Sequence, residues 1–218
     1  MTPDAQALFS IANGIGTTAT LTISSFALGA LIAIPVALAR VSPSAVLRVL
    51  AGSYIQIVRG VPPIVWLFVI YFGLAQYKLT FTSMNASILG LSLISAGYIA
   101  EIYRAGLTSV PAGQTEAAHA LSLSKASSFL NVTAPQALVA VIPLSIAYFI
   151  GLIKDSAVAS VIGALDITAM ALAVSKRTAD GLLVFIAAGA VYLMISLPVA
   201  ALGRWLGEKA AAAWAVRV

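Results

Sequence analysis

His119 is the one imidazole in the chain, and there is no cysteine. An imidazole held against a hydroxyl could activate a nucleophile. A group of His, Cys and carboxylate side chains could hold zinc. Neither constellation is supplied. His119 stands in EAAHALS, residues 116–122, among alanines, and reads as a solvated helix residue. The missing cysteines remove disulfides, thiolate metal centres and cysteine nucleophiles. Asn13-Gly14-Ile15-Gly16 superficially has the spacing of a glycine-rich nucleotide loop. No strand precedes it, no lysine follows it, and GxxxxGK[ST] is absent, so it reads as a helix entry. The expectation is no catalytic residue, no metal ligand and no cofactor in this chain. If ATP drives this protein, another chain must bind it.

The elements that could position functional groups follow from composition. Of the 218 residues, 61% are hydrophobic and 9% are charged. A soluble domain carries about 25% charged residues and needs a polar shell, so lipid is the expected solvent. The net charge of +5 comes from cations scattered singly at the edges of apolar runs. They read as topology signals rather than as a nucleic-acid surface. The opening MTPDAQALFS lacks the basic region of a cleavable signal peptide.

A charge inside a membrane span is costly, so spans should coincide with long uncharged runs. The runs 5–39, 60–77, 79–100, 126–153 and 181–203 contain no Lys, Arg, Asp or Glu. A spanning helix needs roughly 20 apolar residues. Five transmembrane helices are therefore predicted, at about 16–39, 60–77, 84–103, 136–153 and 181–203, in a single all-α integral membrane domain covering 1–218. Five is odd, so the termini face opposite sides. With the N-terminus outside, the inner side holds Arg40, Arg48, Arg59, Arg104, Lys125, Arg204, Lys209 and Arg217. The outer side then holds Lys78, Lys154, Lys176 and Arg177. This excess places the C-terminus in the cytoplasm. Gly29, Ala33 and Ala37 form a small-residue stripe that favours close helix packing. Pro35, Pro143 and Pro198 sit inside predicted spans, where each removes a backbone donor.

One stretch breaks the apolar pattern: GQTEAAHALSLSKASSFLNVTAPQA, residues 113–137. It falls in the predicted cytoplasmic loop, about 109–135, between spans three and four. Pro111 ends what precedes it, and Gly113 is expected as the N-cap of a short helix. Glu116 is then the third helical residue, at the positive helix end. Ala117 and Ala118 leave one face bare for a partner's groove, and Leu121 offers an apolar knob. A short helix joined rigidly to two spans can pass force from a soluble partner into a membrane bundle. An ordinary surface loop is the alternative.

EAAHALS at 116–122, followed by Pro135-Gln136-Ala137, resembles the EAA loop of ABC-importer permease subunits. RGVPP at 59–63 with LFVIYFGL at 67–74, YIAEIYRAG at 98–106 and GLIKDSAVASVIG at 151–163 are similar to further segments of that family, in family order. The resemblance is nearest to the polar amino acid permeases of the histidine and glutamine type. Ser122 stands where that loop usually has glycine, Val61 where threonine is common, and Trp66 where glutamine is common. The resemblance implies a permease subunit without chemistry of its own, in a bacterial cytoplasmic membrane. It would pair with an identical or homologous second subunit. Two ATPase subunits carrying ATP and Mg would dock on the coupling helix, through Gly113, Glu116, Ala117, Ala118, Leu121 and Ser122. An extracytoplasmic binding protein would deliver a polar amino acid.

Arg59, and Glu101 with Arg104, lie near the predicted cytoplasmic boundary, as gate residues or as snorkelling and ion-paired structural ones. Lys154 and Asp155, at the outer end of span four, are candidates for the substrate path, or a mutual surface ion pair. Two rival classes stay open on the residues alone. An ion-gradient-driven secondary transporter usually shows internal repeats, and five spans do not divide evenly. An intramembrane serine protease needs a Ser–His pair at bilayer depth, and His119 lies outside the predicted spans.

Overall fold

The computed structural model describes residues 3–215. Arg217, counted above among the inner-side cations, lies outside them. The described chain is helical, with no strand among the described residues. Its elements are α1 (Pro3–Ala12), α2 (Ile15–Arg40), α3 (Ala45–Gly60), α4 (Pro63–Phe68), α5 (Ser83–Thr108), α6 (Ala112–Ala120), α7 (Lys125–Ser128), α8 (Ala134–Asp155), α9 (Ile167–Thr178) and α10 (Leu182–Ala215). Wider π-type turns at Val69–Gly73 and Phe129–Thr133 extend α4 and join α7 to α8. Tight turns at Leu74–Tyr77 and Ser156–Ile162 follow α4 and α8.

Four stretches are long and apolar enough to cross a membrane: Gln6–Arg40, Ser83–Thr108, Lys125–Ile162 and Leu182–Ala212. A fifth crossing is a bent pair, Ala45–Gly60 with Pro63–Tyr77, turned by 99° at the break. The sequence predicts this span at about 60–77, and the structure differs. Val61 precedes Pro62 and is extended, at φ −99° and ψ 133°. A residue before proline avoids the helical region, and Pro62 and Pro63 bring no N–H donors, so the helix stops and restarts. The apolar run supplies only the second half of this crossing. The first half is α3, which carries Arg48 and Arg59 and so interrupts the uncharged pattern. α10 runs past the predicted end at 203, because Arg204, Glu208 and Lys209 continue the helix. Lys209 Nζ lies 4.1 Å from the Trp205 ring centre.

The centre of the bundle is α2 against α5. Gly29, Ala33 and Ala37 on α2 are buried, and Ile99 and Ala100 of α5 cluster with Ala33 and Ala37. A Cβ at Gly29 would overlap the Cβ of Ser95, so the two backbones approach as closely as side chains permit. Lipid offers no hydrophobic drive between helices, and small residues substitute contact area for it. Hydroxyls in and beside this interface find partners. Thr22 Oγ1 donates to Thr18 O at 2.8 Å, and Tyr148 OH donates to Ser95 Oγ at 2.9 Å.

Candidate functional site

α6 is a nine-residue helix between the crossings α5 and α8. Its cap is not Gly113. Pro111 is the N-cap, extended at φ −59° and ψ 138°, and its carbonyl accepts the Gln114 N–H at 3.0 Å. Proline fixes φ near the value a helix entry uses, so the helix begins earlier than the glycine suggested. Gly113 is therefore a helical residue. Glu116 lies beyond the first turn, away from the free N–H groups, and its side chain is exposed.

Ala117 and Ala118 lie about 100° apart around the helix and differ in exposure. Ala118 is only 3% exposed, whereas Ala117, His119 and Leu121 are exposed, Leu121 at 74%. Ala118 therefore packs inside its own loop and offers no outward surface. The far end closes in a Schellman arrangement: Ser122 N–H donates to His119 O at 2.9 Å and Leu123 N–H to Ala118 O at 3.1 Å. Ser122 takes the left-handed conformation, φ 56°, that this motif requires. The serine keeps the turn that glycine usually makes. α6 is also tied to α8, since Gln136 Nε2 donates to Gln114 Oε1 at 3.2 Å.

Glu101 is a structural hub. Arg40 Nε donates to its Oε1 at 3.3 Å, and Arg104 reaches its Oε2 at 2.8 Å. The three side chains are partly buried, so water screens them incompletely. Arg59 stands apart from them. Its guanidinium carbon lies 4.6 Å from the centre of the Tyr98 ring, and no ion pair among the described residues includes it. Expected near the same boundary as Glu101 and Arg104, Arg59 instead lies against Tyr98, which is nearer the middle of α5 than Arg104 is. Lys154 and Asp155 are both exposed and do not pair with each other among the described residues. Lys154 borders a cleft of about 870 Å³ between α8 and α10, which Ile150, Tyr192 and Ser196 also line. The structure thus does not gather Lys154, Arg59 and α6 into one cluster.

The family model described as "Binding-protein-dependent transport system inner membrane component" matches residues 25–211. The chain belongs to that family. Among its relatives is the nopaline transport system permease of Agrobacterium fabrum, 34% identical over 86% of this chain and 82% of the relative. The L-cystine transport system permease of Bacillus subtilis is 34% identical over 85% and 80%. A putative glutamine transport system permease of Rickettsia typhi is 32% identical over 89% and 90%. A crystal structure of an amino acid ABC transporter with histidines superposes with a TM-score of 0.85, at 32% identity, covering 92% of this chain and 94% of that one. An inward-facing methionine ABC transporter shares the fold, with a TM-score of 0.80 at 21% identity. The chain is thus a permease subunit of an ABC importer, and the gradient-driven carrier is set aside.

Sequence reasoning missed two parts of this permease. In the sequence Arg40 reads only as a topology charge, although it holds Glu101. Asp166 was not singled out at all. It is fully buried, caps α9 by accepting the Ala169 N–H at 2.9 Å, and accepts the Tyr192 hydroxyl of α10 at 3.2 Å. Burial raises its carboxyl pKa above the ordinary value, and these hydrogen bonds oppose the rise. A buried acid between two crossings had one available signal: Asp-Ile-Thr-Ala at 166–169 opens a helix with a standard N-cap residue.

Proposed function

We propose that this permease carries a polar amino acid inward across the bacterial cytoplasmic membrane, with its N-terminus outside and its C-terminus in the cytoplasm. It works beside a second permease subunit, identical or homologous. An extracytoplasmic binding protein delivers the solute. ATP and Mg are held by two separate ATPase subunits, and this chain carries out no catalysis. The relatives named for nopaline, cystine and glutamine support a solute bearing an amino acid group.

The observation that carries the reading is α6: a short helix with Ala117 and Leu121 exposed, braced at both ends between two crossings. Such a helix suits the groove of an ATPase. When the ATPase pair closes on ATP, it draws the two α6 helices together. The crossings follow because α6 is fixed to α8, and the path opens outward. Hydrolysis and separation of the ATPases reset it. This is a rigid-body transition in which one packed arrangement exchanges for another.

The test uses the cysteine-free background. A single cysteine replaces Ala117, membranes are isolated from the native host, and a bifunctional thiol reagent is applied. A crosslinked ATPase bearing Walker motifs is the expected product. A cysteine that labels readily yet captures no ATPase overturns the docking role.

A further inference from the structure

α3 presents three different faces. Ala51, Ile55 and Val58 are buried in the bundle. Val46, Leu50 and Ile57 are exposed and apolar, at 67%, 62% and 56%, as a lipid-facing surface should be. Arg48, Gln56 and Arg59 are also exposed, and their spacing of eight and three residues places them along one stripe of the helix. A polar stripe on a crossing helix is expensive against hydrocarbon and marks a water-lined path or a protein contact.

The depth of the stripe is fixed by α5. A Cβ at Gly97 would overlap Val58 Cγ2, so the end of α3 lies directly on α5 at Gly97. Arg59 is stacked on the next residue, Tyr98. Tyr98 lies roughly 22 Å from Ser83 and roughly 15 Å from Thr108 along α5, at about 1.5 Å per residue. The Arg59 guanidinium is therefore near the middle of the crossing, away from the headgroup phosphates at its ends. It sits at the break between α3 and α4, with a ring on one face and no carboxylate partner among the described residues. Arginine stays charged at any working pH. A cation over an aromatic face retains donors in its plane, and those donors match a carboxylate in fork geometry.

We propose that Gln56 and Arg59 line a water-filled path at mid-membrane, and that Arg59 receives the carboxylate of the passing amino acid. The assignment rests on the importer reading above. Arg59 serves as a transient anchor. The stack on Tyr98 holds the guanidinium in place without neutralising it, so the site is ready for an anion yet releases it on the next movement of the bundle.

The experiment places one cysteine, Gln56→Cys, in the tagged chain and captures the intact complex from native membranes in nanodiscs. Two impermeant thiol reagents are compared, one methanethiosulfonate bearing a sulfonate and one bearing a trimethylammonium. Both should label this chain, and adding Arg59→Ala should lower the anionic-to-cationic rate ratio roughly tenfold. In vesicles supplied with ATP, uptake from a radiolabelled mixture of the protein amino acids should fall at least tenfold with Arg59→Ala and partly recover with Arg59→Lys. Three results overturn the proposal: labelling by lipid-soluble maleimide alone, a Gln56→Cys disulfide to a second copy, or an unchanged rate ratio or uptake with Arg59→Ala. A parent complex that shows no ATP-driven uptake instead overturns the importer reading, and the two reagents still decide the Arg59 assignment.

Discussion

Arg40 on α2 and Glu101 on α5 meet through Nε and Oε1 at 3.3 Å, although 61 residues separate them. Arg104, one turn further along α5, holds the other carboxylate oxygen. One acid thus fastens two helices at the end of the interface that also holds Gly29, Ala33 and Ala37. Their exposures, 21% for Glu101 against 30% and 35% for the arginines, place the pairs between surface and buried behaviour. A surface pair contributes about 0–1 kcal/mol, and breaking a fully buried one costs about 3–5 kcal/mol. Glu101→Gln is expected to cost about 1–2 kcal/mol, on the same two principles. Thermal unfolding in detergent reads this loss. A double-mutant cycle with Arg40→Gln should show coupling. Strictly additive effects would remove the fastening role.

Gly29 gives a second prediction, set against a control on the same helix. A Cβ at Gly29 would overlap Ser95, while one at Gly16 meets nothing within 4 Å. Gly29→Val must push α2 away from α5 and is expected to destabilise by about 1–3 kcal/mol or more. Gly16→Ala should be neutral or slightly stabilising. Size-exclusion profiles and melting temperatures in detergent distinguish the two. Equal tolerance at both positions contradicts the close packing.

Much of this bundle was legible because lipid punishes charge. α2, α5, α8 and α10 follow from uncharged runs, and their residues needed no partner to identify them. The crossing built from α3 and α4 was only half legible, since Arg48 and Arg59 break the run while Val61-Pro62-Pro63 sets the bend. The polar stretch around α6 was readable as a short helix between two crossings, but the inward turn of Ala118 was not. Alanine at two adjacent positions gives no periodic signal, and its direction depends on how the loop returns to α8. The Arg40–Glu101 pair was invisible for a different reason. Both residues look like boundary charges until the packing of α2 on α5 brings them together.

Asp166 supports a third prediction. It caps α9 and receives the Tyr192 hydroxyl, so a single side chain links the loop after α8 to α10. Asparagine caps helices about as well as aspartate: its oxygen still accepts the Ala169 N–H, and its NH2, in place of the second oxygen, donates to the Tyr192 hydroxyl. Asp166→Asn should therefore retain most stability. Asp166→Ala removes the cap, at about 0.5–2 kcal/mol, and takes one partner from the Tyr192 hydroxyl, which keeps Thr168 Oγ1 at 3.0 Å. Melting temperatures should fall in the order parent, Asn, Ala. An alanine variant as stable as the parent would show that the link contributes nothing.

Ser122 occupies the left-handed region at φ 56°, where a Cβ costs about 1–2 kcal/mol. Ser122→Gly should relieve part of this and raise the melting temperature, with ATPase coupling intact. Ser122→Val, branched at Cβ, should weaken the Schellman closure and lower coupled hydrolysis more than it lowers the melting temperature. Equal behaviour of the two variants would separate the turn from the coupling.

The orientation of α6 separates neighbours that the sequence treats alike. Ala117 is exposed and Ala118 is 3% exposed, so a groove that grips α6 meets the first and not the second. A cysteine at Ala117 is expected to crosslink the ATPase, whereas one at Ala118 should react slowly even with small thiol reagents. Tryptophan extends the contrast. Ala117→Trp should abolish ATPase binding while the chain stays folded, because the added ring projects outward. Ala118→Trp should destabilise the loop itself, since the ring has no space between α6 and the turn at Phe129–Thr133. Leu121→Asp tests the same surface by polarity: its exposed apolar side chain suits a dry groove, and a carboxylate there should reduce ATPase recovery at least tenfold in pull-down. Full recovery with both Ala117→Trp and Leu121→Asp would place the docking surface elsewhere in the 109–135 loop.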